Sequence, residues 1–299
     1  MKVFKGFLVI VLLVAFVFPA GAKGKKDKAQ EAFLRGDYQT ALTIWEKTIA
    51  KYEKRNKGTK CTVYAQAAQA ALKLGKDDVA RQLLEKAVYS ASVSPEVFVE
   101  LAKLYRKIDN LSLEITTLEH YVKKYPHDKN IIPMQERLFE TYIESENWEE
   151  ALVLWQKLPP SFRKNTAHLS ALLKADIALE RSAAADTLAP MLLKKDPKNR
   201  VALDYEAKKY FWRAENRYQA EMKAYHKNRT RSQYAHLLKA FQIVTADFKR
   251  SLVYFRRLYA LQPTSENARY LGNIYARLDD RPKAKYYQNL ANRLKKEGK

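Results

Sequence analysis

Cysteine is almost absent from this chain. Cys61 stands alone among 299 residues, so no internal disulfide can form and packing must hold the fold. The residue falls where a helix should begin, with no neighbour that would activate a thiol, and is read as structural. Glycine is scarce as well: eight residues, each isolated, which excludes a glycine-rich phosphate loop. There is no His-Glu-x-x-His pair and no Gly-x-Ser-x-Gly elbow, so the zinc-protease and serine-hydrolase motifs are missing. The five histidines, His120, His127, His168, His226 and His236, pair with no carboxylate or thiol at metal-ligand spacing. Two carboxylate pairs, Glu149-Glu150 and Asp279-Asp280, sit at turns, where helix capping accounts for them. No catalytic residue, metal site or cofactor is therefore expected, and the chain is read as a non-enzyme.

Long apolar runs are missing after residue 18. Before it, Lys2 and Lys5 precede the stretch FLVIVLLVAFVF at 7–18. That run is shorter than the roughly 20 residues of a membrane-spanning helix. Pro19 follows, then Ala20-Gly21-Ala22, the small-x-small pattern that a signal peptidase cuts. Residues 1–22 are read as a signal peptide, which places the mature chain in the periplasm, the cell envelope or outside the cell.

Acidic residues are few in one part of the chain. Residues 194–299 carry 26 Lys/Arg against 10 Asp/Glu, while the part from 23 to 193 is close to balanced. The expected division is 23–198, near neutral, and 199–299, basic. Such a field favours anionic partners, whether acidic proteins, anionic envelope polymers, lipid headgroups or nucleic acid. It is equally the charge of a surface kept soluble.

Alternation of the strand type is also lacking, and apolar residues recur at helical spacing. Pro95, Pro126, Pro159-Pro160, Pro197 and Pro263 punctuate the chain at intervals near 33 residues or twice that. Between them lie turn signals: Arg35-Gly36-Asp37, Leu74-Gly75-Lys76-Asp77, Ile108-Asp109-Asn110, Ser145-Glu146-Asn147 and Leu278-Asp279-Asp280. The pattern predicts helix, short turn, helix and a proline-marked loop, repeated.

In the stretches LRGDYQTALTIWEKTI (34–49), LKLGKDDVARQLLEKAV (72–88), YIESENWEEALVLWQKLPP (142–160) and YLGNIYARLDDRPKAKYY (270–287) the chain resembles the tetratricopeptide repeat (TPR) family. Leu271, Gly272 and Tyr275 match its Leu-Gly and following Tyr. Its small residue on the second helix falls at Ala41, Ala80, Ala151, Ala185 and Ala284, and the large residue four later at Trp45, Leu84 and Trp155, less well at Ala189 and Gln288. Glu114 and Ser251 stand where the small residue is expected. Repeats are expected at 61–94, 95–128, 132–165, 166–198 and 265–298, with weaker ones at 29–60 and 232–264. The resemblance implies an all-α, right-handed superhelical solenoid of antiparallel helix pairs, with a concave surface that binds protein or peptide. Arg269 and Asn273 stand one turn apart on one helix face, the spacing of the family's peptide-carboxylate clamps, but adjacent repeats supply no matching pairs, Asn after Leu-Gly is family consensus, and no clamp is expected.

Residues 201–228 lack proline and glycine and read as one long helix near 201–228. Within it KKYFWRAENRY (208–218) mixes cations with aromatics, as a single-strand nucleic-acid groove would. The spacing of Leu203, Ala207, Tyr210, Phe211, Ala214 and Tyr218 instead assigns most of these rings to a core face. Trp212 and Tyr205 fall on the opposite side, and Lys209, Arg213 and Arg217 make a stripe at i, i+4, i+8. Two readings compete for this second face: burial against another neighbour, or partner binding through Tyr205, Lys209, Trp212, Arg213 and Arg217. The expected function is an exported scaffold for a protein or peptide partner, the basic C-terminal third favouring an acidic one. Anionic envelope polymer, and behind it nucleic acid, is the alternative for the basic part.

Overall fold

Six residues in the left-handed conformation organise the fold. The computed structural model describes residues 27–91 and 93–298. In it Gly36, Gly75, Asp109, Glu146, Glu180 and Asp279 all have φ between 54° and 84°. Each ends one helix and starts the next. The following amide donates back to a carbonyl five residues earlier, as in Asp37 to Ala32, Lys76 to Ala71, Arg181 to Asp176 and Asp280 to Tyr275, at 2.8–2.9 Å. This is the helix-ending Schellman arrangement. Asp37, Asn110 and Asp280 then cap the next helix by accepting from the amides of Thr40, Leu113 and Lys283, which satisfies one of its orphan donors.

The helices so joined are α1 (Lys28–Leu34) with α2 (Tyr38–Glu53), α3 (Tyr64–Lys73) with α4 (Asp77–Val88), and α5 (Pro95–Lys107) with α6 (Leu111–Lys124). Next come α7 (Ile131–Glu144) with α8 (Trp148–Trp155), the short α9 (Pro160–Arg163), α10 (Thr166–Ala178) with α11 (Ser182–Lys195), and, at the far end, α14 (Ser265–Arg277) with α15 (Arg281–Lys296). Between α11 and α14 stand two much longer helices, α12 (Arg200–Lys227) and α13 (Arg231–Leu261). No strand occurs among the described residues. The fold is all-α and TPR-like. The chain divides between Val93 and Ser94 into two compact units, one holding α1–α4 and the other α5–α15. The signal peptide expected at 1–22 lies outside the described residues.

The long helix expected near 201–228 is α12. The weaker repeat expected at 232–264 is not a repeat: α13 runs unbroken from Arg231 to Leu261. Its residues include no glycine or proline, none takes a left-handed conformation, and Asp247 faces inward instead of capping a turn. The change of charge at 198/199 is not a change of packing either. Ala202 belongs to the core built by Leu169, Leu173, Leu188 and Leu192, and Leu193 also touches the next core, around Phe211, Phe248 and Phe255.

The small residues do what the packing requires. Ala41, Ala80, Ala151 and Ala185 are fully buried, and Ala284 nearly so, letting paired helices approach closely. At the last pair Gly272 contributes as well: a Cβ there would meet Gln288 Cγ at 3.0 Å and the Ala284 carbonyl at 3.4 Å. Where Ala is replaced, polar contacts fill the site. Ser251 is buried and donates to the Ala207 carbonyl at 2.8 Å, joining α13 to α12. Glu114 is 1% exposed and accepts from Arg137 Nε on α7 at 2.7 Å, with Arg106 of α5 at 3.8 Å. Cys61 is buried before α3, and burial pushes its thiol up, which suits an inert thiol.

Candidate functional site

The five residues singled out on α12 separate in three dimensions. Tyr205, Lys209 and Arg213 come together in a network internal to the protein. The Tyr205 hydroxyl donates to Asp186 of α11 at 2.8 Å. Burial, and then the Asp186 carboxylate, push that hydroxyl well above its usual range. Lys209 Nζ lies 2.6 Å from the buried Glu206 and 3.2 Å from Asp186. Burial pulls this ammonium down, and the two carboxylates outweigh it and hold it above its ordinary value. Arg213 grips the buried Asp247 of α13, Nε donating at 2.7 Å, and its guanidinium lies 4.7 Å over the Tyr210 ring. These cations neutralise the buried Glu206 of α12 and Asp247 of α13, an arrangement in which removing one partner is costly, and reach the exposed Asp186 of α11. They brace the long helix instead of forming a free basic stripe. Arg217, one turn further, is exposed.

Of the rings in KKYFWRAENRY, Phe211 is core. Tyr210 and Tyr218 are half-buried, the first stacked on Tyr254 and the second on Phe241. Neither offers a platform for bases. Trp212 differs. It is 50% exposed, and its ring packs edge-on against the adjacent Phe211, 5.2 Å away.

Trp212 forms one wall of a groove of about 480 Å³ between the first helices of the last two pairs, α12 and α14. Phe211 and Tyr270 make the floor, with Arg269, Asn273 and Arg277 opposite. Phe211 packs edge-on to Tyr270 at 4.9 Å, and Tyr270 stacks on buried Phe255, so the floor is rigid. The ends are tied by ion pairs: Lys208 to Glu266 at 3.2 Å, and Arg277 Nε to Glu215 at 2.9 Å. Asn273 and Arg269 are exposed. Arg277 is committed to Glu215, but Arg269 makes no ion pair among the described residues. The groove therefore offers an aromatic wall, an unpaired guanidinium and an amide. That set suits a carboxylate-bearing segment with one apolar side chain. The sequence showed Arg269 and Asn273 as one face of a helix; their meeting with Trp212 depends on the packing of α12 on α14, which spacing cannot reveal.

A second hollow, of about 410 Å³, opens between α6 and α8 over Leu138 and Tyr142, with Glu119, Glu149, Glu150, Lys123 and Lys157 around it. The Tyr142 hydroxyl donates to Glu119 at 2.7 Å. Nothing in the sequence marked this hollow. The histidines do not converge: His168 stacks on Phe162 at 3.6 Å, and His236 meets Glu221 at 3.1 Å. No metal-binding group of His, Cys, Asp and Glu occurs among the described residues.

No family model and no curated protein matches the chain. Its neighbours among solved structures are TPR-repeat proteins. A candidate protein-binding protein from Bacteroides ovatus is 13% identical, covering 62% of this chain and 99% of its own at a TM-score of 0.49. The C-terminal part of a TPR repeat-containing protein from Cytophaga hutchinsonii is 18% identical, covering 89% of this chain and 93% of its own at 0.46. YrrB, a TPR protein with an unusual peptide-binding site, is 14% identical, covering 59% and 87% at 0.41. At these identities and scores the likenesses say nothing of what this chain binds.

Proposed function

We propose that this chain is an exported, non-enzymatic interaction scaffold whose α12–α14 groove holds an acidic segment of a partner protein. The observation that carries the reading is Trp212, half exposed on a rigid aromatic floor and facing the Arg269 guanidinium, which lies over the Tyr270 ring and makes no ion pair among the described residues. Large exposed aromatics beside unpaired arginines are the residue types that dominate interface energetics. An acidic partner follows from Arg269 and from the surplus of cations over acids in residues 194–299. Export rests on the lysine-flanked apolar run and the Ala20-Gly21-Ala22 pattern, and the cell envelope is the proposed location.

Site-specific photocrosslinking tests the groove. A photoreactive residue replacing Asn273 should crosslink an acidic partner in the intact chain, whereas the same residue replacing Val153, at the α6–α8 hollow, should not. Equal yields from both positions would remove the reason to place the partner at Trp212.

A further inference from the structure

The α12–α13 hairpin outruns its neighbours. The turn after α14 comes level with Glu215 and Tyr218, where Arg277 lies 4.1 Å over the Tyr218 ring. The last buried residue of α12 is Ala214. From Gln219 to Ala240 the two helices are held by each other. The hydrogen bonds, ion pairs and ring contacts of residues 219–240 stay within the hairpin: Gln219 with Glu215, His236 with Glu221, Tyr225 with Tyr234. The result is an arm roughly two to three turns long, closed at Asn228–Thr230.

The arm has an unusual charge. From 222 to 246 there is no Asp or Glu, while Lys223, Lys227, Arg229, Arg231 and Lys239 are all exposed. The nearest carboxylate on the arm, Glu221, faces His236. Among the described residues, none of these five cations has an acid as an ion-pair partner. Tyr234 and Leu238, one helical turn apart, are 50% and 48% exposed, and the cations Lys227, Arg229 and Arg231 cluster at the turn just before them.

We infer that this arm docks on an anionic phospholipid surface. Lys227, Arg229 and Arg231 meet headgroup phosphates, and Tyr234 and Leu238 enter the interfacial layer. Three features favour a bilayer over other anions. The cations surround the tip, which suits a diffuse plane of charge better than one stereospecific partner. Three of the five are lysines, a residue depleted in protein–protein interfaces and effective as a point charge at membranes. The exposed tyrosine and leucine add amphipathic and apolar surface that an interfacial layer takes up and an aqueous polyanion does not. The arm lies on the surface and does not span it; no helix among the described residues is long and apolar enough to cross.

The test is co-sedimentation of the full chain with vesicles of phosphatidylcholine alone or with phosphatidylglycerol added. Each cation at such a surface strengthens partitioning about fivefold, so K227E/R229E/R231E, which removes three cations and adds three anions, should bind anionic vesicles at least about a hundredfold more weakly than the parent. Y234S/L238S should also weaken vesicle binding, yet leave binding to soluble polyphosphate unchanged. The apolar run at 7–18 is common to all these chains, and neutral vesicles measure its contribution. Helical circular dichroism checks folding, which the arm's distance from both cores should preserve. Parental binding that the triple substitution leaves intact overturns the proposal. So does a loss on charge reversal without any effect of Y234S/L238S, which would assign the arm to an anionic polymer. Capture of an acidic protein without vesicle binding overturns it too.

Discussion

Arg137→Ala should be among the most damaging substitutions outside the apolar core, and the reason lies in the residue it strands. Glu114 occupies a helix crossing that other pairs give to alanine. Its side chain is 1% exposed, and its carboxylate is held by Arg137 Nε at 2.7 Å and Nη2 at 3.4 Å. With Arg137 gone, the cation that remains beside Glu114 among the described residues is Arg106 at 3.8 Å, which is also engaged by Glu144. Breaking a buried pair from one side costs about 3–5 kcal/mol; Arg106 keeps the expected value near the low end, about 3 kcal/mol. Glu114→Ala is different. It restores the small residue of the other crossings, and Arg137, a quarter exposed, keeps Glu140 at 3.1 Å and Glu144 at 3.8 Å. Its expected cost is below about 1 kcal/mol. The double variant should resemble Glu114→Ala, giving a coupling of about 3 kcal/mol, the whole cost of Arg137→Ala. Because arrays of helix pairs can open locally, amide hydrogen exchange in α6 and α7 is the appropriate assay. Equal losses for the two single variants would show that the buried carboxylate is not what Arg137 protects.

Other expectations follow from the same packing. Glu180 holds a left-handed turn position (φ 54°) where Gly75 does the same at φ 69° with open space around its α-carbon. Glu180→Gly should therefore stabilise, and Gly75→Ala destabilise, each by about 1 kcal/mol in thermal melts. Ser251→Leu, at a crossing where the hydroxyl already touches α12, should cost about 3 kcal/mol and lower Tm, while Ser251→Ala should cost about 1. Burial raises the Asp176 carboxyl above its ordinary value, and Arg181 at 3.6 Å lowers it only in part. The folded chain thus binds that proton more tightly than the unfolded one, and this group's contribution to stability falls as pH rises from about 4. Asp176→Asn should remove that slope: melts should show a gain at neutral pH and none below about pH 4. N-terminal sequencing of the exported chain should begin at Lys23; a chain that retains the apolar run would refute cleavage after Ala22.

The fold was legible wherever a local residue had to do a local job. Gly36 and Gly75, and the Asx residues after Asp109, Glu146 and Asp279, announced their turns because left-handed backbone and helix caps select those residue types. Glu180-Arg181 gave no such signal, since a glutamate carries the same conformation there at a cost and tertiary packing keeps it. The hairpin was half legible. Absence of Pro and Gly gave α12, but the spacing of Ser251 and Pro263 mimicked a further repeat inside what is one continuous helix. The site was the least legible part. Lys209 and Arg213 look like a free stripe along the chain because Asp186 and Asp247, which bind them, come from other helices. Arg269 becomes interesting for the opposite reason: among the described residues no helix brings it an acid.

The central claim is that Trp212 and Arg269 form one binding groove, and affinity for acidic peptides tests it most directly. Peptides selected on the full chain should be rich in Asp and Glu around a single apolar residue. Trp212→Ala and Arg269→Glu should each weaken them by about 30-fold or more, the loss of an interface hot spot of roughly 2 kcal/mol, whereas Val153→Ser should leave their Kd unchanged. Selected peptides that carry no acidic bias, or that bind Trp212→Ala as tightly as the parent, would contradict the account.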